Sequence, residues 1–252
     1  MATIAIGDIH GNLRALDDLL RQIAGEVHAD DDVVFLGDYI DRGPDARGCI
    51  DAILAFKDSV TANVTCLCGN HEDWLLRTLR DYRRHSWLLG MDAFDTIRSY
   101  SVEAASVLRD AAKSAGLRLY LDQCSLPYGT FFDAVPRAHV EFFENLPTYH
   151  QTADCVCVHG GLDPCVARIQ DQTRQALIWG TRDFPQQYSG DDTVVYGHWN
   201  NAETDSVGWP HPRVVGRTIG LDTIEHGVLT AIRLPDRQVF QSRRCETHPL
   251  GA

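Results

Sequence analysis

The chain has 252 residues, a length that suits one large domain or two small ones. It is 44% hydrophobic and 23% charged, ordinary for a globular protein. Its formal charge of −12 argues against a nucleic-acid partner, because gripping a phosphate backbone needs clustered Lys and Arg. No apolar run is long enough to span a bilayer, which argues against a membrane partner as well.

Thr3–Ile6 is a short apolar run of strand type that leads straight from the N-terminus, with neither the basic start nor the cleavage site of a secretory signal; a cytoplasmic location is therefore expected. Gly7-Asp8-Ile9-His10-Gly11 follows, and then Leu13, Leu16, Leu19, Leu20 and Ile23 recur at helical spacing. A second buried strand, Val33–Leu36, ends in Gly37-Asp38-Tyr39-Ile40-Asp41-Arg42-Gly43, and a helix with Ile50, Ile53, Leu54 and Phe56 comes after Pro44. A third strand, Val64–Leu67, ends in Gly69-Asn70-His71-Glu72, ahead of a helix carrying Trp74, Leu75, Leu76 and Leu79. Three strand–polar turn–helix units in succession predict an α/β architecture with polar groups at the carboxyl ends of the strands.

Residues 84–133 break this rhythm and read as a helical insertion or cap without visible chemistry, with a helix over Val102–Ala115. A further helix runs from Pro136 to Leu146. Strands follow at Cys155–Val158, Thr193–Tyr196, Thr218–Leu221, Val228–Leu234 and Gln238–Gln241. No linker, repeat or low-complexity tract divides the chain, so residues 1–252 read as a single domain: two sheets packed face to face with helices outside, a four-layer α-β-β-α sandwich of α/β (α+β) class. The eight cysteines are scattered; Cys66 and Cys68, like Cys155 and Cys157, lie two apart on strands and read as small, reduced core residues.

Five strand-to-loop junctions present an Asp, His or Asn beside a glycine: Asp8 and His10, Asp38, Asn70, His159 in Val158-His159-Gly160-Gly161, and His198 in Gly197-His198-Trp199-Asn200. Each residue taken singly has an ordinary explanation as a turn, cap or core residue, but five junctions sharing one accident do not. Glycine lets the backbone turn sharply enough for a short side chain to reach an ion. Carboxylates crowded at a strand end disfavour each other's ionisation, and bridging cations remove that conflict. The pattern predicts one metal site from Asp8, His10 and Asp38 and a second from Asp38, Asn70, His159 and His198. Imidazole and carboxylate donors without thiolate suit Mn, with Fe, Zn or Co as the other candidates. Glu72 reads as a first-turn acid favoured by the helix dipole. His28, His85, His139, His150, His211, His226 and His248 lack the glycine-flanked context and read as surface or packing residues, as Trp74, Trp87 and Trp209 read as core or cap packing.

The blocks at residues 7–11, 37–43 and 69–72, with equal gaps over residues 12–36 and 44–68, resemble the signature of the phosphoprotein-phosphatase branch of the calcineurin-like metallophosphoesterases. His159-Gly160-Gly161 and Gly197-His198 follow in the expected order. The resemblance implies a metallo-dependent phosphatase fold and hydrolysis of a phosphate ester by a hydroxide that two divalent metal ions activate. It implies that His71 is the general acid, that Asp41 orients it, and that Arg42 and Asn70 bind substrate phosphate. It also implies a second arginine, for which Arg182 in Trp179-Gly180-Thr181-Arg182-Asp183 is the candidate, at a spacing one residue longer than in bacterial relatives. Trp199 departs from the family, standing where Thr is common. The substrate expected is a phosphorylated protein or a small phosphorylated molecule. A bacterial-type Ser/Thr protein phosphatase or broad phosphomonoesterase stands ahead of a symmetrical dinucleoside tetraphosphate hydrolase, and a non-catalytic metal-binding module comes last because His71, Asp41 and Arg42 are all present.

Overall fold

The computed structural model describes residues 1–121, 124–200 and 202–245; His248 lies outside the described residues. In chain order the elements are β1 (Thr3–Ile6), α1 (Leu13–Ile23), β2 (Asp32–Phe35), α2 (Ala46–Ser59), β3 (Asn63–Cys66), α3 (Asn70–Arg80), α4 (Ser86–Gly90), α5 (Ala93–Tyr100), α6 (Val102–Ala115), α7 (Gly129–Phe132), α8 (Arg137–Glu144), β4 (Tyr149–Gln151), β5 (Val156–Val158), α9 (Arg174–Trp179), β6 (Val194–Tyr196), β7 (Ala202–Thr204), β8 (Pro210–Val215), β9 (Thr218–Gly220), β10 (Thr230–Leu234) and β11 (Gln238–Gln241). They form two mixed sheets, ordered β11-β10-β1-β2-β3 and β4-β5-β6-β9-β8-β7. Within the first, β1, β2 and β3 run parallel; within the second, β5, β6 and β9 do.

The pleat distributes each strand between two layers. Ala5, Val34, Cys157, Val195, Ile219 and Ile232 share one buried cluster drawn from both sheets, which is the layer between them. Their neighbours Ile4, Ile6, Val33 and Phe35 turn outward into a second cluster with α1, α2 and the helices of residues 84–133. Val156, Val158, Val194 and Tyr196 turn the other way onto Leu162, Leu177 and Phe184. The four-layer sandwich therefore follows from apolar residues on both faces of short parallel strands, the pattern of a sheet covered on each side. All eight cysteines are unbridged, and Cys155 and Cys157 place their sulfurs 3.7 Å apart inside the core.

Three strands escape the sequence reading: β4, β7 and β8. Each is short or polar, and β8 carries Pro210 and Pro212, residues that ordinarily argue against a strand. Its position explains the exception, since it lies near the edge of its sheet between β9 and the three-residue β7. Helix α3 begins at Asn70, four residues before its first apolar anchor, so His71 sits in its first turn.

Small side chains let the two sheets approach, and Ala5→Leu should overpack the layer between them. We expect a loss of about 1–3 kcal/mol in urea unfolding with an unchanged m-value; undiminished stability would mean the layer has room to spare.

Candidate metal centre

The parallel strands all end on one side, and the loops leaving them converge. Their backbones interlock: Ile9 and His10 donate N–H groups to the carbonyl of Asp38 at 3.0 and 2.8 Å, and Gly197 donates to the carbonyl of His159 at 2.9 Å. Among the described residues, seven of the nine non-glycine residues with positive φ lie here: His10, Asp38, Asp41, Arg42, His198, Trp199 and Asn200. Such conformations cost about 1–3 kcal/mol each and persist only where the surroundings impose them.

Asp38 is the meeting point. Its carboxylate, with His10 and His71, gives one group of donor atoms within 4.8 Å of one another; with His159 and His198 it gives another. Asn70 joins the second group through its Oδ1, 2.9 Å from His159 Nε2. Asp8 is buried beside them and accepts the backbone N–H of His198 at 3.0 Å on Oδ2. Two glycines are required by this crowding: a Cβ on Gly69 would run into Asp38 Oδ1, and one on Gly197 into Asp8 Oδ1.

The histidines are aimed by their far nitrogens. Nδ1 of His10 lies 3.1 Å from the carbonyl of Ile40 and Nδ1 of His159 lies 3.0 Å from that of Leu36. Donation from Nδ1 there would leave Nε2 free to coordinate, the arrangement that fixes the tautomer of a metal-binding imidazole. His71 differs. Its Nδ1 is 2.7 Å from Asp41 Oδ2, and its buried Nε2 has no hydrogen-bond partner among the described residues. A buried nitrogen left open toward a cluster of donors is the mark of a site that takes up another group. Together with the imidazole, carboxylate and amide donors around Asp38, it fits divalent cations.

The electrostatics agree. Burial alone would raise the carboxyl of Asp38, but the imidazoles of His159, His71 and His10 outweigh it and hold the group well below the usual range. Burial likewise opposes charge on His71 and His159, and Asp38 overcomes it and raises both. Burial, then Arg42 and His71, hold His10 well below its ordinary value; burial and His159 bring His198 down to about 3. The carboxylate and these two imidazoles thus favour each other's charged forms. Asp8, by contrast, is pushed well above its ordinary value by burial and then by Asp222 and Asp38. A nearby cation would favour its ionised form.

Several contacts go beyond those read from the sequence. Glu72 is more than a helix-end charge: fully buried, it accepts the backbone N–H groups of Asp38, Tyr39 and Gly69 at 2.9–3.0 Å and so sets the two loops that carry Asp38 and Asn70. Asp222 follows β9 and accepts the N–H of Asn200 at 2.6 Å. Residues 84–133, read as a cap without visible chemistry, reach the centre. Trp87 Nε1 donates to Asp41 Oδ2 at 2.9 Å, and Thr96 Oγ1 donates to Asp41 Oδ1 at 2.6 Å while accepting the N–H of Asp41 at 2.8 Å. Of Asp222, Trp87 and Thr96, only Asp222 carried a sequence signal, as a carboxylate at a sixth strand end. Arg42 is half-exposed beside the centre, with Nη1 3.2 Å from His10 Nε2 and 2.8 Å from Glu225. Arg182 is exposed on the turn after α9, and among the described residues no hydrogen bond or ion pair joins it to the centre.

A shared carboxylate between two donor clusters at the carboxyl ends of two packed sheets defines a dinuclear metallohydrolase. The calcineurin-like phosphoesterase family model matches residues 1–227, and the chain belongs to that family. Members use divalent metals in a dinuclear site, and the chain is a metal-dependent phosphoric ester hydrolase. It is 25% identical to an asymmetrical bis(5′-nucleosyl)-tetraphosphatase of Geobacillus thermodenitrificans, over 92% of this chain and 89% of the relative. It is 27% identical to a symmetrical one of Nitrosospira multiformis, over 96% of each. Among solved structures the fold resembles a putative diadenosine tetraphosphatase, with a TM-score of 0.59 and 20% identity over 95% and 92% of the two chains. It also resembles a serine/threonine phosphatase of Saccharomyces cerevisiae, at 0.54 and 15% over 99% and 82%.

Asp41 is one of the groups that raise His71, so Asp41→Asn should lower the imidazolium pKa. Activity that needs His71 protonated is lost as pH rises through that pKa, so the alkaline limb of kcat/KM should move to lower pH. An unmoved limb would show that another group titrates. Thr96→Val, which strands the buried N–H of Asp41, should cost about 1–3 kcal/mol of stability in urea unfolding, and wild-type stability would refute the bond's importance.

Proposed function

We propose that residues 1–252 act as one metallophosphoesterase domain that hydrolyses phosphoanhydrides of dinucleoside polyphosphates. Hydrolysis of phosphoserine and phosphothreonine in proteins is the second reading. This reverses the order suggested by the sequence motifs, which the two activities share. What favours the dinucleotide is similarity over nearly the full length to bis(5′-nucleosyl)-tetraphosphatases of both the asymmetrical and symmetrical kinds. The yeast phosphatase, at 15% identity, supports the fold alone.

In this reading Asp8, His10 and Asp38 hold one divalent cation, and Asp38, Asn70, His159 and His198 hold the other, Mn being the first candidate. The cations would supply a hydroxide near neutral pH, by lowering the pKa of water from 15.7 to about 7, and Lewis acidity toward phosphoryl oxygens. His71 presents the open Nε2, from which a proton passes to the leaving oxygen, while Asp41 at Nδ1 keeps the ring charged and oriented. Trp87 and Thr96 hold Asp41 in turn. Arg42 is placed to leave Glu225 for non-bridging phosphate oxygens, where its planar fork gives two parallel hydrogen bonds. Asn70 offers an amide to the same oxygens. Arg182 would join as a second anchor only if the turn after α9 closed over bound substrate. The observation that carries the reading is the carboxylate of Asp38 set between two imidazole clusters beside the Asp41–His71 pair.

The test is parallel turnover of diadenosine tetraphosphate and a phosphoserine peptide by Mn-loaded protein, with products identified by chromatography. Faster turnover of the dinucleotide is expected; turnover of the peptide alone would reverse the order. His71→Asn should reduce turnover about 10²–10⁴-fold with metal content unchanged by mass spectrometry. Asp38→Asn should lose the metal as well, and retention of both ions by that variant would overturn the shared-ligand assignment.

A further inference from the structure

Trp199 takes no part in any of the proton, cation or phosphate contacts proposed for the centre. It is 58% exposed, the one tryptophan among the described residues that lies open to solvent. Yet it stands against the centre: its ring meets that of His198 edge-on, with centroids 4.4 Å apart and planes at 62°. Its Nε1 donates to the carbonyl of Gly160 at 3.3 Å, next to His159, which fixes one edge of the indole. Gly180 lies under that edge, where a Cβ would come within 2.9 Å of Nε1. Trp179 packs against His198 as well, with centroids 6.0 Å apart, but is partly buried.

The backbone here resists relaxation. His198, Trp199 and Asn200 have φ values of 54°, 70° and 47°, an unfavourable region for side chains of this size. Asp8 and Asp222 hold the loop by accepting the N–H groups of His198 and Asn200. An indole more than half exposed beside this centre, with its Nε1 edge fixed, suits a flat aromatic partner. Phosphoserine and phosphothreonine have no flat group to offer; a nucleobase does, and stacking on a tryptophan face is tolerant of which base it is.

We propose that Trp199 is a stacking platform for a nucleobase of the substrate, and so a determinant of preference for nucleotides over other phosphate compounds. This rests on the reading of the centre as a dinucleoside polyphosphate hydrolase. Stacking of this kind contributes about tenfold or more to binding.

Two measurements separate the platform from the activity. The first compares diadenosine tetraphosphate with inorganic tripolyphosphate, which has the same anhydride bonds and no base. Trp199→Ala should lower the ratio of their kcat/KM values about tenfold, chiefly through KM for the dinucleotide, and Trp199→Phe should restore most of it. A fall of equal size for both substrates would assign Trp199 to holding His198 and overturn the proposal. The second measures binding of adenosine 5′-diphosphate and pyrophosphate to Mn-loaded protein by calorimetry, independent of turnover. About tenfold tighter binding of the nucleotide is expected, with the advantage lost in Trp199→Ala. Equal affinities in the wild type would overturn the platform even if the dinucleotide is hydrolysed. An intact nucleotide advantage in a protein that fails to hydrolyse the dinucleotide would overturn only the reading of its activity.

Discussion

An ionised carboxylate with almost no access to water is the constraint on which the centre depends. Asp38 sits between His10 and His71 on one side and His159 and His198 on the other. Desolvation of such a group is tolerable only if positive charge and hydrogen-bond donors surround it. The donors come from the backbone and the charge from imidazoles or cations. Glu72, which takes the N–H of Asp38 itself, adds a second buried acid behind the first; burial and the charge of Asp38 push it up to about 7. The pairing of two buried acids favours positive charge close by.

The fold serves this constraint by geometry. Parallel strands deliver their carboxyl ends to one place, and glycines at positions 69 and 197 let those ends approach until side chains and backbone touch. The strain concentrated in the loops is offset by cross-loop hydrogen bonds and by a core with apolar residues on both faces of each sheet. Rigid strands below and interlocked turns above keep the donors at mutual distances suited to cations before any ion arrives.

Much of this was legible in the chain. Strand ends could be found because Ile4, Val33 and Val64 begin compact apolar runs that stop at glycine, and the donors follow those glycines directly. Helix α6 was readable to its ends, as was β11. What escaped was structure whose cause lies elsewhere in the molecule. Strand β8, with two prolines, exists because β9 offers it an edge. Thr96 and Trp87 carry no local signal, since their meaning arises only when α4 and α5 dock and bring a hydroxyl and an indole N–H to Asp41. Glu72 looked like an ordinary helix-start acid because sequence cannot reveal that its oxygens face the N–H groups of Asp38 and Tyr39.

The docking of α4 and α5 has a consequence for how competence is acquired. The donors around Asp38 are drawn from strand ends of the two sheets, whereas the groups that hold Asp41 against His71 arrive with a separate set of helices. Undocking of the α4–α5 pair would leave the donors around Asp38 in place and remove the hydroxyl and the indole that hold Asp41. In the proposed reading, a nick or loosening within those helices would therefore impair turnover before it released the ions.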